Sequence, residues 1–145
     1  GLRQQDLKLD HEVPHVALVP YATRRLKTDS SERVIPLVGA SLWAAQRINE
    51  SANSEYCFPR YCSDSVCNSN SASAAINKWI KTIAGSDAVI HGLRHSFRDR
   101  LRAVEAPVDL IDQLGGWSLQ SVGQGYGDGY PIQNLQQWQL LIELT

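Results

Sequence analysis

Apolar residues change their rhythm along this chain. Between Val13 and Val38 they fall in short β-like runs broken by polar residues; from Ala40 onward they recur every three or four positions, as on one face of a helix. Val13 to Val19 reads as a short strand, with Pro14 early, where an edge strand tolerates a missing amide. Arg33-Val-Ile-Pro-Leu-Val38 reads as the returning strand. The polar stretch from Tyr21 to Glu32 suits an exposed hairpin connection, with Lys27 near its turn. Residues 1–10 read as the exit of a helix or a turn.

The helical part is more extensive. Leu42, Trp43, Ala45 and Ile48 form a stripe between Ala40 and Asn49. Residues 51–71 make the longest loop. Ser71 or Ser73 is placed to cap a helix running to Ala84, with Ile76, Trp79, Ile80 and Ile83 as its buried face and Gly85 as its stop. His91 to Glu105 carries the strongest helical pattern. Leu93, Phe97, Leu101 and Val104 share one face, and His91, Arg94 and Arg98 a neighbouring one. Pro107 opens a short helix through Asp109, Ile111 and Leu114, which Gly115-Gly116 ends. Ser118–Tyr130 is Gly-rich and reads as irregular. Ile132, Leu135, Trp138 and Ile142 mark a last amphipathic helix, Ile132–Leu144. No repeat or low-complexity tract interrupts the order. The expected fold is α+β, mainly α: one domain over residues 1–145, with a small antiparallel β-sheet near the N-terminus.

Composition narrows the class. The 145 residues are 43% hydrophobic and 20% charged, ordinary for one globular domain. No apolar run approaches the roughly 20 residues that cross a bilayer, and no signal peptide is recognisable, so a cytoplasmic location is expected. The chain starts at Gly1 and holds no Met, as a piece of something longer would. A net charge of −1 argues mildly against a free-standing DNA binder. The local distribution argues for one: Arg24, Arg25 and Lys27 cluster, as do Arg94, Arg98, Arg100 and Arg102. Cys57, Cys62 and Cys67, spaced C-x4-C-x4-C, match no zinc-ribbon spacing, and their odd number argues against a disulfide framework. They are expected to be free thiols.

The chemistry concentrates in His91-Gly-Leu-Arg94-His95, Gly115-Gly-Trp117 and Tyr126. A guanidinium clamps phosphate oxygens, an imidazole exchanges protons near neutral pH, an indole N–H donates without ionising, and a phenol is a nucleophile. Each residue alone has an ordinary explanation. Arg94 would pair with Asp99, Asp109 or Asp112; His91 would start a helix; Trp117 would fill the core; Tyr126 would be a surface aromatic; Lys27 would be solvated. His95 is expected to be buried and structural. The order Lys, His-x-x-Arg, Gly-Trp, Tyr is harder to obtain by accident than any one of its members.

That order resembles the C-terminal catalytic domain of the tyrosine recombinases, the phage integrase family. Leu26-Lys27-Thr28 and Ser31-Glu-Arg33-Val-Ile-Pro36-Leu37 resemble the family's hairpin with its catalytic lysine. His91-Gly-Leu-Arg94-His95 is similar to its His-x-x-Arg box, and Leu114-Gly-Gly-Trp117 to its Leu-Gly-His segment, with Trp at the His-or-Trp position. Tyr126 falls at the nucleophile distance, with Tyr130 as its rival, and Phe58-Pro-Arg-Tyr61 resembles a segment of some phage-type integrases. Gly1-Leu-Arg3 resembles a segment just after the family's first catalytic arginine, so that arginine and the N-terminal core-binding domain are expected to lie outside this chain, which would then be inactive alone.

The resemblance implies site-specific DNA recombination without cofactor or metal, through a 3′-phosphotyrosine. Its catalytic residues would be Tyr126, Arg94, His91, Lys27 and Trp117; Arg24, Arg25 and Arg98 would contact DNA. The partners implied are double-stranded DNA and further copies in a tetrameric synapse, with the C-terminal helix docked on a neighbour or on its own domain. A catalytically silent DNA-binding remnant, a helical interaction domain and a cysteine metal module are the competing readings.

Overall fold

The computed structural model describes residues 1–21, 24, 26, 31–63, 66–117 and 129–143. Lys27, Arg25 and Tyr126 lie outside the described residues. Strands β1 (Leu7–Lys8), β2 (His15–Leu18) and β3 (Arg33–Pro36) form an antiparallel sheet in the order β1-β2-β3. Leu7 stands opposite Val16, and Val16 opposite Ile35. The two longer strands fall where the alternation places them. The third was not expected: after a 3-10 turn at Gln4–Asp6, two paired residues are too few to show a period of two.

The turn before β1 is anchored by a buried charge. Asp6, 1% exposed, accepts from Arg24 Nη1 at 2.7 Å, from the Arg3 amide at 2.9 Å and from the Tyr21 hydroxyl at 2.5 Å. Burial alone would raise the Asp6 carboxyl's pKa. The hydrogen bonds from Arg24, the Arg3 amide and Tyr21 outweigh it and hold the group below its ordinary value. Arg24 is therefore committed to the fold, where the sequence suggested a DNA contact. Its guanidinium also bonds the carbonyl of Val19, the residue after β2, at 3.0 Å.

Among the described residues the helices are α1 (Gly39–Glu50), α2 (Ser69–Ala84), α3 (Ile90–Ala103), α4 (Val108–Gly115) and α5 (Ile132–Leu141). Asn68, not Ser71 or Ser73, caps α2, its side-chain oxygen accepting from the Ser71 amide at 3.0 Å. Leu7, Leu37, Ala45 and Cys57 join the sheet to α1 in a small cluster, with Leu42 and Ile48 packed against it. The main core is Leu101, Ala106, Leu110, Ile111, Leu114 and Leu135, drawn from α3, α4, α5 and the bend between α3 and α4. Full burial of each such leucine is worth about 1.5–3 kcal/mol.

The helix boundaries agree with the periodicity better than the buried faces do. Ile80 is buried on α2, but Trp79 is 61% and Ile83 64% exposed. On α3, Leu101 is fully buried while Leu93 is 60% exposed. From α3, Phe97 and Leu101 meet the main core, while at its start the Ile90 amide donates to the Asn77 side chain of α2 at 2.7 Å. Trp43, expected inside α1's stripe, is 63% exposed. His95, expected buried, is exposed and sits edge-to-face with His91, ring centroids 5.1 Å apart. The cysteines also differ from expectation. Cys62 and Cys67 are disulfide-bonded across an isolated β-bridge, and Cys57 alone is free. Burial first, and the Asp6 charge second, push the Cys57 thiol up to about 11.

Replacing Arg24 by Ala leaves the Asp6 charge buried without its main partner. A loss of about 3–5 kcal/mol is expected in urea unfolding. Because the folded-state pKa of Asp6 is depressed, its contribution is complete above the ordinary carboxyl range and is lost as pH falls below about 4 through the folded value. Asp6→Asn is expected to be less stable at neutral pH and to flatten this acid limb of the stability curve.

Candidate functional site

The site forms where α3, the end of α4 and the start of β3 meet. α4 ends because Gly116 adopts the left-handed conformation, φ 61°, ψ 40°. Its neighbours need the room as well. A Cβ on Gly115 would lie 1.7 Å from the Trp117 ring, and one on Gly116 would lie 2.5 Å from Arg33 Nη1. The paired glycines thus let the indole fold back over Gly115 and let the Arg33 guanidinium pass against Gly116. The Trp117 amide bonds the Asp112 carbonyl at 3.0 Å, which locks the turn.

Arg94 and Arg98, one helical turn apart on α3, both reach this indole. Their guanidinium carbons lie 4.2 Å and 4.8 Å from the Trp117 ring centroid. Arg98 also pairs with the buried Asp112 at 3.4 Å. Arg94 makes no ion pair among the described residues. The carboxylates that could have claimed it are engaged elsewhere: Asp112 by Arg98, Asp99 by Arg102 at 3.7 Å, and Asp109 by the Tyr130 hydroxyl at 3.1 Å. The ordinary explanation of Arg94 as a structural salt bridge is absent among the described residues. His91 is exposed one turn before Arg94 on α3.

Arg33, quoted only as part of the hairpin motif, is the residue to which sequence reasoning gave no role. Its Nε donates to the Leu114 carbonyl at 3.1 Å and its Nη1 to the Ser31 carbonyl at 2.8 Å. Burial, and then the Arg94 charge, draw its pKa below the usual arginine value. The one signal in the sequence was an arginine opening an otherwise apolar strand.

The two tyrosines are placed differently. Tyr130 is a committed phenol: its hydroxyl donates to Asp109, and burial first, with that carboxylate second, raises its pKa. Its backbone is held by both ends of the Gln113 amide, at 2.8 Å and 3.1 Å. The chain therefore leaves α4 at Trp117 and returns to it at Tyr130, with Tyr126 in the interval between. The structure brings together Arg94, Arg98 and Trp117, adds Arg33, and sets Arg24 apart on Asp6.

A sequence model described as the phage integrase family matches residues 1–130. The chain belongs to the phage integrase family. No curated protein and no solved structure matches it. Membership carries integrase-type DNA recombination as the family-level function and tyrosine recombinase as the enzyme class. Among the described residues no helix is long and apolar enough to cross a membrane.

Gly116→Ala forces a side chain into the left-handed region and displaces an anchored guanidinium. It is expected to destabilise the domain by about 1–3 kcal/mol in urea unfolding.

Proposed function

We propose that this integrase-family domain cuts and rejoins duplex DNA through a phosphotyrosine at Tyr126, with Arg94 as the cation on the scissile phosphate. The observation that carries the reading is the Arg94 guanidinium itself. It is stacked on Trp117, and its neighbouring carboxylates are occupied by other partners. A positioned guanidinium with no ion-pair partner among the described residues is suited to an external anion, and a phosphodiester accepts its fork of N–H groups.

In the proposed reaction the Tyr126 oxygen bonds to phosphorus as the P–O5′ bond breaks. The phenol gives up its proton with assistance from His91, and Lys27 protonates the departing O5′. A second strand's 5′-hydroxyl then attacks the phosphotyrosine, restoring the diester and releasing the phenol. One ester bond replaces another at each stage, so the bond energy is conserved. Arg94 would hold the non-bridging oxygens as charge grows on them, and the Trp117 N–H would donate to the phosphate from the same side. Arg98 would contribute a further charge to DNA, tempered by its bond to Asp112.

Tyr130 is disfavoured as nucleophile because its hydroxyl is bonded to Asp109 and its ionisation is opposed there. Strand exchange needs two cleaved duplexes, so several copies are expected on DNA. In the structure Leu135 of α5 packs into its own domain's core.

The test is covalent capture on a nicked suicide duplex, using the chain within its native polypeptide. Tyr126→Phe is expected to abolish capture and Tyr130→Phe to retain it; the reverse result would move the nucleophile to Tyr130. Arg94→Gln is expected to slow capture ~10²–10³-fold. Capture at the parental rate in that variant overturns the role given to Arg94.

A further inference from the structure

The charge balance around Trp117 is uneven. Three guanidiniums converge there: Arg94 and Arg98 on the indole, and Arg33 against the Gly116 turn that presents it. One carboxylate, Asp112, ion-pairs within the group, and it takes Arg98. Neither Arg33 nor Arg94 has an ion-pair partner among the described residues. Like charges gathered in a half-buried place repel one another, and an anion binding there relieves that repulsion.

Arg33 is also held stiffly. Nε is anchored on the Leu114 carbonyl, 81 residues away in sequence, and Nη1 on the Ser31 carbonyl. Those acceptors are neutral, so the bonds orient the guanidinium without cancelling its charge. Among the described residues Nη2 makes no hydrogen bond. A guanidinium whose inner edge is fixed on backbone carbonyls keeps its remaining N–H groups for a ligand at little further cost in side-chain entropy.

We propose that Arg33 is a further phosphate-contacting residue of this site, a second guanidinium that meets the scissile phosphate from the strand side while Arg94 meets it from α3. The assignment rests on the reading of the Arg94–Trp117 site as a phosphate pocket. It gives the hairpin strand a charge of its own in that pocket, and it explains why Gly116 must leave room for a side chain from β3.

The test is a double-mutant cycle between Arg33 and the charge of the phosphate. The native polypeptide carries Tyr126→Phe throughout, so that binding is measured without cleavage. Dissociation constants are taken for a duplex with an ordinary diester at the scissile position, and for one with a methylphosphonate there, which removes that charge. Arg33→Gln is expected to weaken the diester duplex about tenfold or more, the range of one charge-assisted hydrogen bond, and the methylphosphonate duplex less than about twofold. Equal weakening of both duplexes, or of neither, overturns the proposal.

Arg94→Gln is measured in parallel. If Arg94 shows the charge-dependent loss and Arg33 does not, only the Arg33 assignment falls. If Arg94 shows none, the pocket reading falls and takes the Arg33 assignment with it. Should Arg33→Gln fail to fold, Arg33→Lys keeps the charge but loses the fork. It is expected to weaken the diester duplex more than the methylphosphonate duplex, and an equal effect on the two overturns the proposal.

Discussion

Two guanidiniums stacked on one indole hold this site together. Without Trp117, Arg94 and Arg98 would be like charges one helical turn apart with a single carboxylate between them. The ring's negative face attracts both, each contact being worth about 0.5–2 kcal/mol depending on how far it is desolvated. The stack needs the indole to turn back over α4, and the indole can do so only because Gly115 has no side chain in its path. The geometry of the cation cluster is thus set by a missing methyl group.

The same turn reaches in the other direction. Gly116 makes way for Arg33, whose bond to the Leu114 carbonyl caps the end of α4 from the sheet side. Strand β3, helix α3 and the α4 terminus are therefore registered on one another through polar contacts at the site, while Leu101, Leu110, Ile111 and Leu114 register them through the core beneath. Folding and the placing of charge use the same elements, so the site inherits the rigidity of the best-packed part of the domain. Gln113 extends this by fastening Tyr130, which returns the chain to α4 after the segment that contains Tyr126.

Charged residues sort by what lies opposite them rather than by where they cluster in sequence. Arg24 stands in a basic run, yet its guanidinium is spent on Asp6 inside the N-terminal turn. Arg94 also stands in a basic run, and its three candidate carboxylates are all taken by other partners. One arginine is ion-paired to a buried carboxylate, and the other has no ion-pair partner among the described residues. The difference lies in a handful of through-space distances.

Element boundaries and the order of chemical groups were legible because both are local. The glycine after α4, the proline before it, the 3.6-residue stripes and the His-x-x-Arg spacing each involve residues within a few positions of one another, and that local chemistry placed α1 to α5 and the two longer strands within a few residues of their ends. Which stripe residues became buried was not local. Leu93 and Leu101 are equivalent in pattern, but Leu101 is buried and Leu93 exposed. The two-residue strand β1, the pairing of Cys62 with Cys67, the commitment of Arg24 to Asp6 and the arrival of Arg33 beneath Gly116 all depend on segments meeting in three dimensions. Each is decided by packing and charge between residues that sequence distance does not relate, and so only the tertiary structure could settle them.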